Sequence, residues 1–188
     1  MKRLKAAVAS VLACATLLSF TGCSSFKVID DEDVFFDALE EAAGIEKDET
    51  IHEKNYTYNG DKVEYLIYTG DGDNFYLYMR FKKADDAMDE FDEFYQAFDE
   101  VKKDDEFEGN SVMSETRTRG SVVFNGEIAS DNSLSFYHMN QYFFEDSELF
   151  GGVYVNDNVY IEAYSVNGSK RDKEKITKFL KELGFPKP

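Results

Sequence analysis

Phe75-Tyr76-Leu77-Tyr78-Met79-Arg80-Phe81, followed almost at once by ADDAMDEFDEFYQAFDEV (residues 84–101), is where the fold of this chain is decided. In the first piece Phe75, Leu77, Met79 and Phe81 alternate with Tyr76, Tyr78 and Arg80, the period of a β-strand with two unlike faces. In the second, Ala84, Ala87, Met88, Phe91, Phe94, Tyr95, Phe98 and Val101 recur at three- and four-residue spacing, the apolar stripe of an amphipathic helix. Acidic residues fill the other positions of that helix: Asp85, Asp86, Asp89, Glu90, Asp92, Glu93, Asp99 and Glu100.

Working outward from this unit, Lys54–Tyr58 and Lys62–Tyr68 flank Asn59-Gly60, the pair favoured where a tight hairpin needs positive φ. Thr69-Gly70-Asp71-Gly72-Asp73-Asn74 then turns the chain into the decisive strand. Before the hairpin, Phe35, Ala38, Leu39 and Ala42 give Asp31–Ala43 a helical stripe, with Asp30, Asp31 and Asp33 at its start and Gly44 as its stop. After the acidic helix, Lys102–Arg119 is polar and without clear period, and reads as a disordered connection. Strands are expected at Ser121–Ile128, Leu134–Phe143, Leu149–Val155 and Val159–Val166, with turns at Asp131-Asn132 and Asn156-Asp157-Asn158 and a bulge at Gly151-Gly152. A last helix opens at Ser169 with Asp172 as its capping partner. It carries Ile176, Phe179, Leu180 and Leu183 on one side and ends at Gly184-Phe185-Pro186. Strands joined by tight turns pair antiparallel. The expected class is α+β, an antiparallel sheet with helices on one face, and Val63–Val101 and Leu149–Leu183 suggest a ββα pseudo-repeat.

The chain begins MKRLKAAVASVLACATLLSFTGCSS (residues 1–25). Lys2, Arg3 and Lys5 precede an apolar run from Ala6 to Phe20, which is shorter than the ~20 residues a permanent span requires. A basic start, a short apolar core and small residues at the cut describe a secretory signal. Phe20-Thr21-Gly22-Cys23 resembles the lipobox of bacterial membrane lipoproteins, with Phe20 where that family most often has Leu. With the small acidic, Tyr- and Phe-rich domain that follows, the layout is similar to small lipoproteins of Gram-positive bacteria. The resemblance implies that Cys23 receives a diacylglycerol, that the leader is cut before it, and that the protein sits on the extracytoplasmic side of the cell membrane through its lipid anchor. Residues 1–22 are then signal peptide, 23–29 a short tether and 30–188 a single domain. Cysteine arithmetic agrees: Cys14 lies in the leader, so Cys23 has no disulfide partner. Burying two or more acyl chains at ~0.8 kcal/mol per methylene makes attachment essentially permanent.

The chain carries a net charge of −17, and losing the three leader cations takes the mature chain to −20. That balance rules against nucleic acid and against nonspecific adhesion to anionic lipid. The one basic element is the last helix, with Lys170, Arg171, Lys173, Lys175, Lys178 and Lys181, which on a short tether is expected to face anionic lipid while the acidic helix faces away.

No catalytic, cofactor-binding or metal-ligating set emerges. The chain has two histidines, His52 and His138, and the second alternates with Tyr137 and Met139 as a strand residue would. It has no G-x-S-x-G elbow, no H-E-x-x-H and no glycine-rich phosphate loop before a helix. Asp71-Gly72-Asp73-Asn74 resembles part of a calcium loop but reads better as a hairpin turn, since Lys82 stands where the bidentate acid is required. Tyrosines, by contrast, concentrate in strands. If helices cover the aliphatic face, Tyr76, Tyr78, Tyr160 and Tyr164 face out together and offer a surface for an envelope protein, a peptide or a glycan. The expectation is a lipid-anchored, non-enzymatic binding or scaffold module. The alternative is an envelope enzyme or calcium-linked accessory protein using clustered carboxylates.

Overall fold

The computed structural model describes Ile29, residues 31–129 and residues 147–188. Its elements in chain order are α1 (Glu32–Ala43), a 3₁₀ turn (Lys47–Glu49), β1 (Ile51–Tyr58), β2 (Asp61–Asp71), β3 (Asn74–Phe81), α2 (Ala84–Lys103), β4 (Phe107–Thr116), β5 (Arg119–Ile128), β6 (Ser147–Asn156), β7 (Val159–Val166) and α3 (Lys170–Glu182). The seven strands form one sheet in the order β1-β2-β3-β7-β6-β5-β4, antiparallel throughout. The α+β class and the antiparallel sheet agree with the expectation. The leader, Cys23 and the expected strand at Leu134–Phe143 with His138 lie outside the described residues.

Local chemistry sets the element ends. Asn59 and Gly60 both have positive φ (49° and 102°), the pairing a two-residue hairpin between right-twisted strands requires. The Asp31 side chain accepts from the Asp33 amide at 3.0 Å and Gly44 closes α1 in the left-handed region at φ 72°. Ser169 and Asp172 form the capping box that opens α3.

The helices do not share a face, which corrects the expectation. α2 lays Ala87, Met88, Phe91, Phe94, Phe98 and Val101 on one side of the sheet, against Leu77, Met79 and Phe81 of β3 and Val122 and Phe124 of β5. α1 and α3 cover the other side, where Phe35, Leu39, Ile176 and Phe179 meet Tyr76 and Tyr78 of β3 and Ile161 and Ala163 of β7. The cause lies in the central strands, which are apolar or aromatic on both sides, so a single helical layer would leave half the core in water.

This division also removes the ββα pseudo-repeat. A rotation exchanging the antiparallel neighbours β3 and β7 runs perpendicular to the sheet and keeps each face where it was. It would put α2 and α3 on the same side, and they lie on opposite sides.

Two further expectations change. Lys102–Arg119 contains β4, which pairs with β5 in unbroken register over ten positions from Phe107↔Ile128 to Thr116↔Arg119. An edge strand buries little, so it needs no strong alternation; Phe107 against Phe98 (5.2 Å between ring centroids) and Met113 suffice to seat it. Gly151-Gly152 is not a bulge, for the register of β6 passes straight through it on both sides. Those glycines leave room for tyrosines: a Cβ on Gly152 would fall 2.5 Å from the Tyr154 hydroxyl, and one on Gly151 2.5 Å from the Tyr164 Cα. The sheet's irregularity lies in β2, between Val63 and Tyr65.

Gly120 of β5 shows how tightly α2 is seated, since a Cβ there would come within 2.1 Å of the buried Phe91 ring. Gly120→Ala should therefore destabilise the fold by about 1–3 kcal/mol through overpacking, read as a lowered denaturation midpoint. Adding Phe91→Leu should recover part of the loss.

Candidate functional site

The four tyrosines assigned to an outward face are buried, each at 0–1% exposure. Nor do they share a face. Cross-strand register puts Met79 opposite Tyr160 and Phe75 opposite Tyr164, so the β7 tyrosines lie with the β3 aliphatics under α2. Tyr76 and Tyr78 point the other way, where Tyr76 meets Phe179 edge-on at 4.9 Å and Tyr78 lies 5.4 Å from Phe35. The tyrosine surface is corrected to two halves of the core. Tyrosine supplies large apolar area with a polar tip, and inside a protein that tip finds a partner; Tyr78 donates to the Ile29 carbonyl at 3.3 Å.

The cations of the basic helix have partners within the fold. Lys173 reaches Glu148 at 2.5 Å, Lys175 pairs with Asp71, and Lys178 lies 3.6 Å from Glu41. Lys170 pairs along the helix with Glu174. The cations thus fasten α3 to β6, β2 and α1. Asp71 and Asn74 bracket the β2–β3 turn at Gly72 (φ 63°), and Asn74 is directed under α3 rather than toward a shared cation. Among the described residues no group of three or more His, Cys, Asp or Glu side chains converges as a metal site would. His52 stands edge-on to the Phe36 ring at 6.3 Å.

What the structure brings together is a polar row beneath α2. Glu162 of β7 is 1% exposed, and its Oε1 accepts from the Tyr160 hydroxyl at 2.9 Å. Burial and the neighbouring Glu162 and Glu90 charges hold the Tyr160 phenol well above its ordinary range, so it remains a donor. Glu90, on α2, closes the row from the solvent side. Burial and the adjacent Glu93 push its carboxyl up to about 7, against the pull of hydrogen bonds from Tyr58 and Asn59. Glu90 can thus hold and release a proton near neutrality. Neither acid stood out among the chain's 38. For Glu162 a signal existed: a carboxylate inside the apolar run Val159-Tyr160-Ile161-Glu162-Ala163-Tyr164.

The second feature is the sheet's margin. The edges β1 and β4 are unlike. β1 is broken at Asn55, which has positive φ (56°) and is skipped in the ladder, and Lys54 lies beside the break. β4 has ten paired residues without a bulge, a lysine or a proline, and exposes Val112 at 55%. Natural sheets usually blunt such an edge.

The proton on Glu90 predicts a pH effect of definite sign. The native carboxyl stays protonated to about pH 7, whereas the unfolded chain loses that proton near 4.5. Stability from this group is present below the lower value and declines as pH rises through the upper one. Glu90→Gln should match wild type at pH 4.5 and exceed it at pH 8 by about 1–2 kcal/mol, measured as the difference between two denaturation curves at each pH.

No family model, curated protein or solved structure matches this chain.

Proposed function

We propose that this chain is a lipid-anchored, non-enzymatic module on the extracytoplasmic side of the cell membrane, held by Cys23, which docks an extended, basic segment of another envelope protein along β4. The location rests on the leader and on Cys23 as the mature chain's lone thiol. The mode of binding rests on one observation: an unbroken ten-residue ladder whose outer side is unpaired among the described residues. Both sheet faces are filled by helices, so main-chain groups free to bind lie at the margins, and β1 is already blunted. An added strand takes its affinity from backbone hydrogen bonds and its specificity from alternate side chains. Here those side chains include the exposed Glu108 and Glu115, on a domain with a large excess of acid, which favours lysine and arginine in the partner.

The anchor keeps the domain close to the bilayer. Ile29 is buried in the layer formed by α1 and α3, and the six residues back to Cys23 reach about 20 Å at full extension.

Cys23→Ser should move the chain from the membrane fraction to a soluble or unprocessed form; a variant still cleaved and still membrane-bound would overturn the anchor. A photo-crosslinking residue in place of Val112, in the full-length anchored chain, should give one discrete adduct. That adduct should disappear when Glu108 and Glu115 are both changed to Lys, with the thermal midpoint unchanged. An adduct indifferent to the charge reversal, or none at all, counts against the edge.

A further inference from the structure

The sheet face beneath the first turns of α3 carries three polar side chains with no exposure at all: Asn74, Tyr76 and Ser165. Register explains their proximity. Asn74 lies directly opposite Ser165 across the β3–β7 pair, so their side chains rise from the same face, and Tyr76 follows on that face two residues along β3. The Asn74 amide donates to the Asp172 carbonyl at 3.3 Å. The Asn74 Oδ1, the Tyr76 hydroxyl and the Ser165 Oγ accept or donate no close hydrogen bond among the described residues. The Asn74 amide also leans toward the Tyr76 oxygen as a donor and favours its ionised form, which leaves the Tyr76 hydroxyl proton without an acceptor among the described residues.

Three unmet groups in one place are unusual, because a buried donor or acceptor left unpaired forfeits its full hydration. Their chemistry is complementary. The Tyr76 hydroxyl is a donor that burial and the charges of Asp71 and Asp172 keep protonated. Asn74 Oδ1 is an acceptor, and Ser165 serves as either. The neighbouring strand is polar on this side: Thr69 and Asp71, which stand across from Tyr76 and Asn74 in the β2–β3 register, line a cavity of about 310 Å³ together with Lys175. Above the serine the chain is crowded, since a Cβ on Gly168 would fall 1.8 Å from Ser165 Oγ.

We propose that Asn74, Tyr76 and Ser165 form a binding site for ordered water, which bridges the Tyr76 hydroxyl, Asn74 Oδ1 and Ser165 Oγ and joins β3 and β7 to the underside of α3. A water with three polar partners is the usual content of such an interior site. This site stands apart from the proposed docking edge and does not depend on it.

The direction of a stability change tests the proposal on the full chain. If water holds the three groups, Tyr76→Phe and Ser165→Ala each take a partner from it and leave the others unmet, and each raises the unfolding equilibrium constant by about fivefold. The double variant then falls short of the product of the two, because both act through one water. If the site is dry, each substitution removes an unpaired buried hydroxyl and stabilises the fold, which overturns the proposal; so does strict additivity of the two. A crystal structure showing water density within hydrogen-bond distance of all three oxygens agrees with it. One showing the Tyr76 hydroxyl donating directly to Asn74 Oδ1 or to Ser165 Oγ refutes it.

Discussion

The antiparallel pairing of β3 with β7 is the constraint on which the remaining structure depends. It joins two meanders, β1-β2-β3 and β4-β5-β6-β7, at the end of each, and so places the last strand of both at the centre of the sheet. Central strands are covered on both faces, and every residue of β7 from Val159 to Ser165 is buried. Each face then needs its own helical layer. The chain leaves β3 through α2 to one side, and leaves β7 through α3 to the other, where α1 completes the cover. The margins of the sheet follow as well, because the first strand of each meander is pushed to an edge. The two edges, the two cores and the position of every buried tyrosine are consequences of one pairing.

Charge is distributed to suit this arrangement. A domain with such an acidic excess repels itself, and the repulsion is relieved where a cationic helix meets the acidic body. Lys173 and Lys175 of α3 are largely sheltered, at 24% and 18% side-chain exposure, and each faces a carboxylate from the sheet. Exposed pairs of this kind contribute little to stability. Half-buried ones do more to specify geometry, since a helix shifted by one position would leave the same lysines under-hydrated and unpaired. Arg80 plays the corresponding part for α1. It lies over the Tyr65 ring at 4.7 Å and reaches Glu32 at 3.2 Å, tying the first helical residue to β3. A basic helix on an acidic protein therefore reads as an internal fastener as readily as a membrane-facing one.

Much of the fold was legible because its signals are local. The alternation in β3, the stripe of α2, the Asn59-Gly60 hairpin and the Ser169–Asp172 box depend on neighbours in the chain, and each element lies where its residues indicate. What was not legible depends on distant partners. Tyrosine suits a covered face and an open one equally, so Tyr76 and Tyr78 could not reveal that Phe35 and Phe179 lie over them. The match of Tyr160 to Met79 is a matter of inter-strand register, which no single strand encodes. β4 escaped because an edge strand buries too little to write a period into its sequence. Glu162 was hidden among many acids; only its neighbours, apolar on every side in the strand, set it apart.

An unblunted β4 edge raises the question of why copies of the chain would not pair through it. Two copies pairing antiparallel through this same edge must match residues of like parity, so a pairing centred on Val112 sets Glu108 opposite Thr116 and Glu115 opposite Gly109 of the other copy. The obstacle is the net charge, since two bodies each at −17 repel before contact. A cationic strand does not meet that obstacle. The net acidity of the chain thus does for β4 what a lysine or a bulge does for other edges, with one difference: it discriminates by the sign of the approaching charge. An edge blocked by shape is closed to every partner, whereas an edge guarded by charge remains open to a basic one.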